Sequence, residues 1–191
     1  MKYWPEKKWK KIVLVTLLVL IVASFSTLAM ISIVISNDKI TQVVIRNPDS
    51  ERIAVIFYHP GVSSFAHDVS YAFADGLIEN GWRVEIATPS VEAPTNLSKY
   101  RLLVVISNTY GFNPDTPTTR HLERIGDLSG IQTVVITLGA GSAEQSQQVF
   151  ENLVETSNGT IIESLLLYSM APNEGGNSAT EIANLAAQQI N

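Results

Sequence analysis

Three short stretches hold most of the residues that could do chemistry. They are His59-Pro60-Gly61-Val62-Ser63-Ser64, then Ser107-Asn108-Thr109-Tyr110-Gly111 with Asn113 just beyond, then Gly139-Ala140-Gly141-Ser142. Hydroxyls, amides and glycines dominate. That chemistry holds a ligand by hydrogen bonds and close backbone approach; it does not point to covalent catalysis. His59, His67 and His121 are the three histidines, and their spacing matches no metal-ligand pattern. Ser63 and Ser64 lie in no Gly-x-Ser-x-Gly elbow. The chain has no cysteine, so it can form no disulfide and its redox compartment is unconstrained.

Each of these stretches follows a short apolar run: Ile53 to Tyr58, Leu102 to Ser107 and Ile131 to Leu138. Runs this apolar and β-branched do not alternate, so they read as strands of a parallel sheet covered on both faces. Trp82 to Thr88 alternates and reads as a less covered, edge-type strand, and Thr160 to Leu167 is the last strand. Between them lie helical patterns. The first, capped by Ser63 or Ser64, carries Phe65, Val69, Ala72, Phe73 and Leu77 and closes at Asn80-Gly81. The others are Thr118 to Ile125, with His121 on a solvated face, Ala143 to Glu155, and Ser178 to Ile190, with one helical turn at Asn96 to Tyr100. Strands alternating with helices imply an α/β fold: a five-stranded, doubly wound parallel sheet in the order 2-1-3-4-5, a three-layer sandwich. All three chemistry-bearing stretches then fall at the carboxyl edge of the sheet, where ligands bind in open α/β folds.

Ahead of this body, Ile12 to Ile35 contains no charged residue. At about 1.5 Å per residue it is long enough to cross a hydrocarbon core of about 30 Å. A cleaved secretory signal would have a shorter apolar part and a small-residue cleavage site, and none stands out here. The expectation is a single-pass anchor in the lipid bilayer over residues 12–36. A basic segment, residues 1–11, precedes it, with Lys2, Lys7, Lys8, Lys10 and Lys11 against Glu6 and with Tyr3, Trp4 and Trp9 as an interfacial belt. The lysines place the N-terminus in the cytoplasm and the main domain, residues 52–191, on the other side. Residues 37–51 read as a linker whose β-prone piece, Ile40 to Ile45, either joins a sheet edge or forms a stalk. From Ile12 onward the chain has eight Lys/Arg and seventeen Asp/Glu, a formal charge of −9. No basic face for nucleic acid is visible. An acidic body suits solubility or docking to a basic protein. Asn96-Leu97-Ser98 and Asn158-Gly159-Thr160 match the glycosylation acceptor pattern, which also arises by chance.

Tyr100 to Gln145, YRLLVVISNTYGFNPDTPTTRHLERIGDLSGIQTVVITLGAGSAEQ, resembles the flavodoxin family. It is similar to that family's third strand, Thr-Tyr-Gly loop, third helix, fourth strand and following glycine-rich loop. Ile53 to Gly81 resembles its first strand and helix, and the short-chain kind is the nearer relative. The resemblance implies an FMN site. His59, Gly61, Ser63 and Ser64 would wrap the phosphate. Thr109, Tyr110, Gly111 and Asn113 would border the isoalloxazine ring, with Tyr110 as the ring-contacting aromatic. Gly139, Gly141 and Ser142 would approach its other edge. The family's phosphate loop, roughly Thr-x-Thr-Gly-Asn-Thr, is not matched: Pro60 has no N–H, and Val62, Phe65 and Ala66 bring no side-chain donor. Two functions follow as expectations. One is a tethered electron carrier holding FMN and docking a basic redox partner, with an FMN-dependent quinone or NAD(P)H reductase as a variant. The other is a flavodoxin-like domain without FMN, acting as a non-enzymatic module at the membrane.

Overall fold

The computed structural model describes residues 7–191. Lys2, Tyr3, Trp4 and Glu6, which belong to the basic, aromatic N-terminus, lie outside the described residues. The chain divides into two compact units, the first ending at Ile35 and the second running from Ser36 to Asn191.

Helix α1 (Lys8–Ser36, 29 residues) makes up the described part of the first unit. It extends about 43 Å at the usual rise per residue. None of its residues is buried, and its best window has a mean hydropathy of 2.7. It is long and apolar enough to cross a membrane. Two of its polar side chains bond back to the preceding turn: Ser24 donates to the Leu20 carbonyl and Thr27 to that of Ala23.

The second unit is an α/β sandwich. Its strands are β1 (Val44–Arg46), β2 (Ile53–Tyr58), β3 (Arg83–Ala87), β4 (Leu102–Tyr110), β5 (Asn113–Pro114), β6 (Gln132–Gly139) and β7 (Thr160–Tyr168). The sheet runs β1-β3-β2-β4-β6-β7, with β5 paired to β4. The five strands β3-β2-β4-β6-β7 are mutually parallel, in the predicted order. The sheet has seven strands and not five, because β1 adds antiparallel to β3 and β5 folds back antiparallel on β4.

Helices α2 (Phe65–Glu79) and α5 (Ala179–Gln188) cover one face. Val69, Phe73 and Leu77 meet Ala54, Ile56, Val104 and Ile136 there. Helices α3 (Thr116–Ile125) and α4 (Glu144–Thr156) cover the other, where Leu122, Phe150 and Val154 meet Val55, Phe57, Val105 and Val135. Side chains of the same strand alternate between the two cores, which is why β2, β4 and β6 read as unbroken apolar runs. Gly76 lets α2 lie directly on α5. A Cβ there would stand 2.3 Å from the Asn184 carbonyl oxygen.

Some expectations are decided and others change. The β-prone piece of the linker joins the sheet edge, the first of its two expected roles: β1 pairs with β3 and covers it. The alternation in β3 therefore places Glu85 inside, where it accepts hydrogen bonds from Arg83 (2.8 Å), Lys99 (2.8 Å) and Tyr100 (2.7 Å). No helical turn forms at residues 96–100. His121 is buried, with its ring 4.4 Å edge-on from that of Phe57, because α3 turns this side to the sheet and not to water.

Candidate functional site

The carboxyl edge of the parallel strands gathers the loops after β2, β3, β4, β6 and β7. Strand β4 runs through Asn108, Thr109 and Tyr110, held there by β5, so Thr109 and Tyr110 sit in a strand and not in a loop. Gly111 (φ +57°) and the exposed Phe112 (φ +66°) make the tight turn between β4 and β5. Asn113 is exposed and donates to the Gly111 carbonyl at 3.0 Å. The turn therefore uses the Asn113 amide for its own closure.

Asp115 organises this end of β4. It is buried and caps α3 by accepting from the Thr118 N–H at 2.9 Å. It also accepts from the Asn108 N–H and the Ser107 hydroxyl, both at 2.9 Å. Burial pushes its carboxyl above the ordinary range, opposed by the Thr118 N–H and by the neighbouring His59 ring. Asp before a helix with Pro in its first turn is a legible cap signal in the sequence, and it marks the residue that positions the β4 edge.

The loop after β2 lies against β4. His59 is buried, its Nε2 3.2 Å from the Asn37 carbonyl oxygen, and its own carbonyl accepts from the Asn108 side chain at 2.8 Å. It serves the packing behind the loop and does not line the crevice. Gly61 takes φ +66°, and a Cβ there would stand 2.7 Å from the Tyr110 hydroxyl. Burial, and then the Asp115 charge, pushes the Tyr110 phenol above its ordinary value, so it stays neutral.

At the start of α2, Ser64 occupies the cap position without capping the helix. Its hydroxyl donates to the Asp68 carboxylate at 2.8 Å. That bond, and a second from His67, hold the Asp68 carboxyl below its ordinary range. A fixed negative charge therefore stands in the first turn of α2. The Ser63 hydroxyl accepts from the Phe65 N–H at 3.4 Å.

On the far side, Gly139 ends β6, where a Cβ would meet Ala143 at 2.7 Å and the Tyr168 ring at 3.4 Å. Gly141 and Ser142 are exposed, and the Ser142 hydroxyl donates to Glu144 at 3.3 Å. Ser63, Thr109, Tyr110 and Gly139 thus border one cavity of about 150 Å³ with Val62 and Phe65. His59, Gly61, Ser64, Gly111, Asn113, Gly141 and Ser142 flank it without lining it. The Thr109 hydroxyl is buried and has no hydrogen-bond partner. A wider groove of about 600 Å³ lies at the opposite, amino edge, between residues 95–101 and 127–132, far from every predicted site residue.

Solved structures with this architecture make its class plain. Flavodoxin 2 from Bacillus cereus superposes with a TM-score of 0.57 at 17% identity, over 71% of this chain and 94% of its own. A flavodoxin from the domain Archaea gives 0.57 at 11% identity, over 72% and 94%. The fold is flavodoxin-like. An NAD(P)H:quinone oxidoreductase from Methanothermobacter marburgensis shares it at 0.51 and 17% identity, over 73% and 96%. No protein-family model and no curated protein matches the sequence.

The phosphate end of this flavodoxin-like edge fits FMN poorly. A phosphate dianion needs free N–H groups at the start of α2. Here Pro60 has no N–H, the Phe65 N–H is directed to the Ser63 hydroxyl at 3.4 Å, and the Asp68 carboxylate already stands in the first turn of the helix. The cavity is also smaller than the roughly 300–1,000 Å³ that usually hold a molecule of this size.

Proposed function

We propose that this chain is a single-pass membrane protein whose flavodoxin-like body acts as a non-enzymatic module and holds no FMN in its resting state. One observation carries this reading: the Tyr110 hydroxyl rests on Gly61, 2.7 Å from where a Cβ there would stand, so the chain closes its own phosphate loop. Asp68 adds to it, since its carboxylate repels a phosphate from the same helix end. Helix α1 supplies the anchor, being long and apolar enough to cross the bilayer. The lysines before it favour a cytoplasmic N-terminus and a body on the other side.

The test is a visible spectrum of the full-length protein, purified with FMN supplied throughout. The expected result is no bound yellow chromophore after desalting. Stoichiometric flavin would overturn the proposal.

A second reading has its own support. The shared architecture, the exposed Gly141 and Ser142 and the exposed Phe112 leave room for a flat ring at the outer side of the crevice. If Tyr110 swings out, FMN could enter, and the cofactor itself would supply the redox chemistry. The body would then be an electron carrier whose acidic surface docks a basic partner, or a quinone or NAD(P)H reductase. Reversible bleaching of a bound flavin by dithionite would favour this reading.

A further inference from the structure

We infer that the carboxyl edge of the sheet docks onto the lipid surface of the membrane that α1 spans; this rests on the anchor reading above. The five most exposed large apolar side chains of residues 36–191 all lie at this edge. They are Met170 (86%), Val91 (72%), Val62 (61%), Phe112 (60%) and Ile40 (53%). Four of them follow the carboxyl ends of β7, β3, β2 and β4 in turn, one per loop. Across those strands the row spans about 19 Å at the usual strand spacing. Scattered exposed apolar residues are ordinary, whereas a row along one edge marks an interaction surface.

The chain itself says what lies nearby. Apolar sequence continues to Ile35, α1 ends at Ser36, and the next residues are fastened to this edge. The Asn37 carbonyl accepts from His59, the Asp38 carboxylate pairs with Arg120 (3.1 Å) and Arg124 (3.0 Å), and the Lys39 carbonyl accepts from the Thr88 hydroxyl. Three extended residues reach only about 10 Å. Covalent connectivity therefore keeps the edge close to the membrane surface. The edge also carries acidic groups, Asp68, Glu92, Glu144 and Glu174, alongside Lys39 and Arg120. Attraction to anionic lipid is not the driving force. Insertion of the apolar tips into the interface is, as in peripheral membrane anchors.

The absence of cysteine makes the test direct. V62C, V91C, F112C and M170C are made singly in the full-length protein, labelled with an environment-sensitive fluorophore and placed in phosphatidylcholine vesicles with brominated chains. V149C on α4 and L185C on α5 are the controls away from the edge, and I21C reports on the span. The four edge labels are expected to shift to the blue and to lose most of their emission to bromine, at low and high salt alike, while the controls stay unquenched. Adding Phe112→Asp and Met170→Asp should free the V91C label from quenching. Edge labels as wet as the controls, with I21C quenched, overturn the docking and leave the anchor standing. Blue-shifted edge labels that bromine does not quench overturn it too, since protein and not lipid then covers the edge. An unquenched I21C removes the anchor, and the docking falls with it.

Discussion

Substitution at Tyr110 separates the two functional readings by sign. In the self-closed crevice, binding of FMN must first move the Tyr110 hydroxyl and ring off Gly61. Displacing a polar contact of this kind costs about 1 kcal/mol. Tyr110→Phe removes the hydroxyl from above Gly61 and should tighten FMN about fivefold. Tyr110→Ala also removes the ring and should tighten it further. If the ring instead stacks on the flavin, the Ala variant loses a contact of about 0.5–1.5 kcal/mol, and binding weakens by roughly two- to tenfold. The assay is quenching of FMN fluorescence on titration with protein at fixed salt, with urea unfolding to check that each variant is folded. Tyr110→Phe should cost no more than about 1 kcal/mol of stability. Weaker FMN binding by a folded Tyr110→Ala protein would refute the closed-crevice argument outright.

Other outcomes follow from the packing. Gly76→Ala places a Cβ 2.3 Å from the Asn184 carbonyl oxygen and must push α5 away from α2. It should cost about 3 kcal/mol, read as a lower urea midpoint. Burial, and then the Arg124 charge, pulls His121 from 6.5 down to about 4. The unfolded chain binds the proton first, so stability is full above about pH 6.5 and falls as the pH drops toward 4, by up to about 3 kcal/mol. His121→Phe should flatten that slope in urea titrations between pH 7 and pH 4.5. Burial works to raise the Glu85 carboxyl, but Lys99, Tyr100 and Arg83 outweigh it and hold it below its ordinary value. Its stabilisation is present above the ordinary carboxylate range and is lost as the pH falls through the lowered value. Glu85→Ala should destabilise by about 2 kcal/mol at neutral pH, seen in thermal unfolding.

What the residues determined on their own is local. The unbroken runs of β2, β4 and β6 show burial on both faces without reference to any partner. Helical spacing in α2 and the stop at Asn80-Gly81 arise within a few turns of chain, and so does the apolar length of α1. Strand order followed from these, since short right-handed crossovers leave few topologies. The site residues were legible as a set of loops at one edge for the same reason.

The content of that edge was decided by contacts between segments far apart in the chain. Tyr110 closes over Gly61 only because β5 extends β4 and carries the ring past the loop after β2. Nothing local to Thr109-Tyr110-Gly111 encodes this. The linker over residues 37–51 offered a β-prone piece without a fixed partner, because three strand residues have too little periodicity to announce one. Thr88 and the arginines of α3 dock the start of the linker. His121 was expected on a solvated face and β3 at a less covered edge, yet Phe57 packs on the one, and β1 and the loop through Tyr100 enclose Glu85 on the other. Periodicity reports which side of an element is apolar, whereas burial depends on what arrives to cover it. A polar side chain goes inside whenever distant partners replace the water it loses.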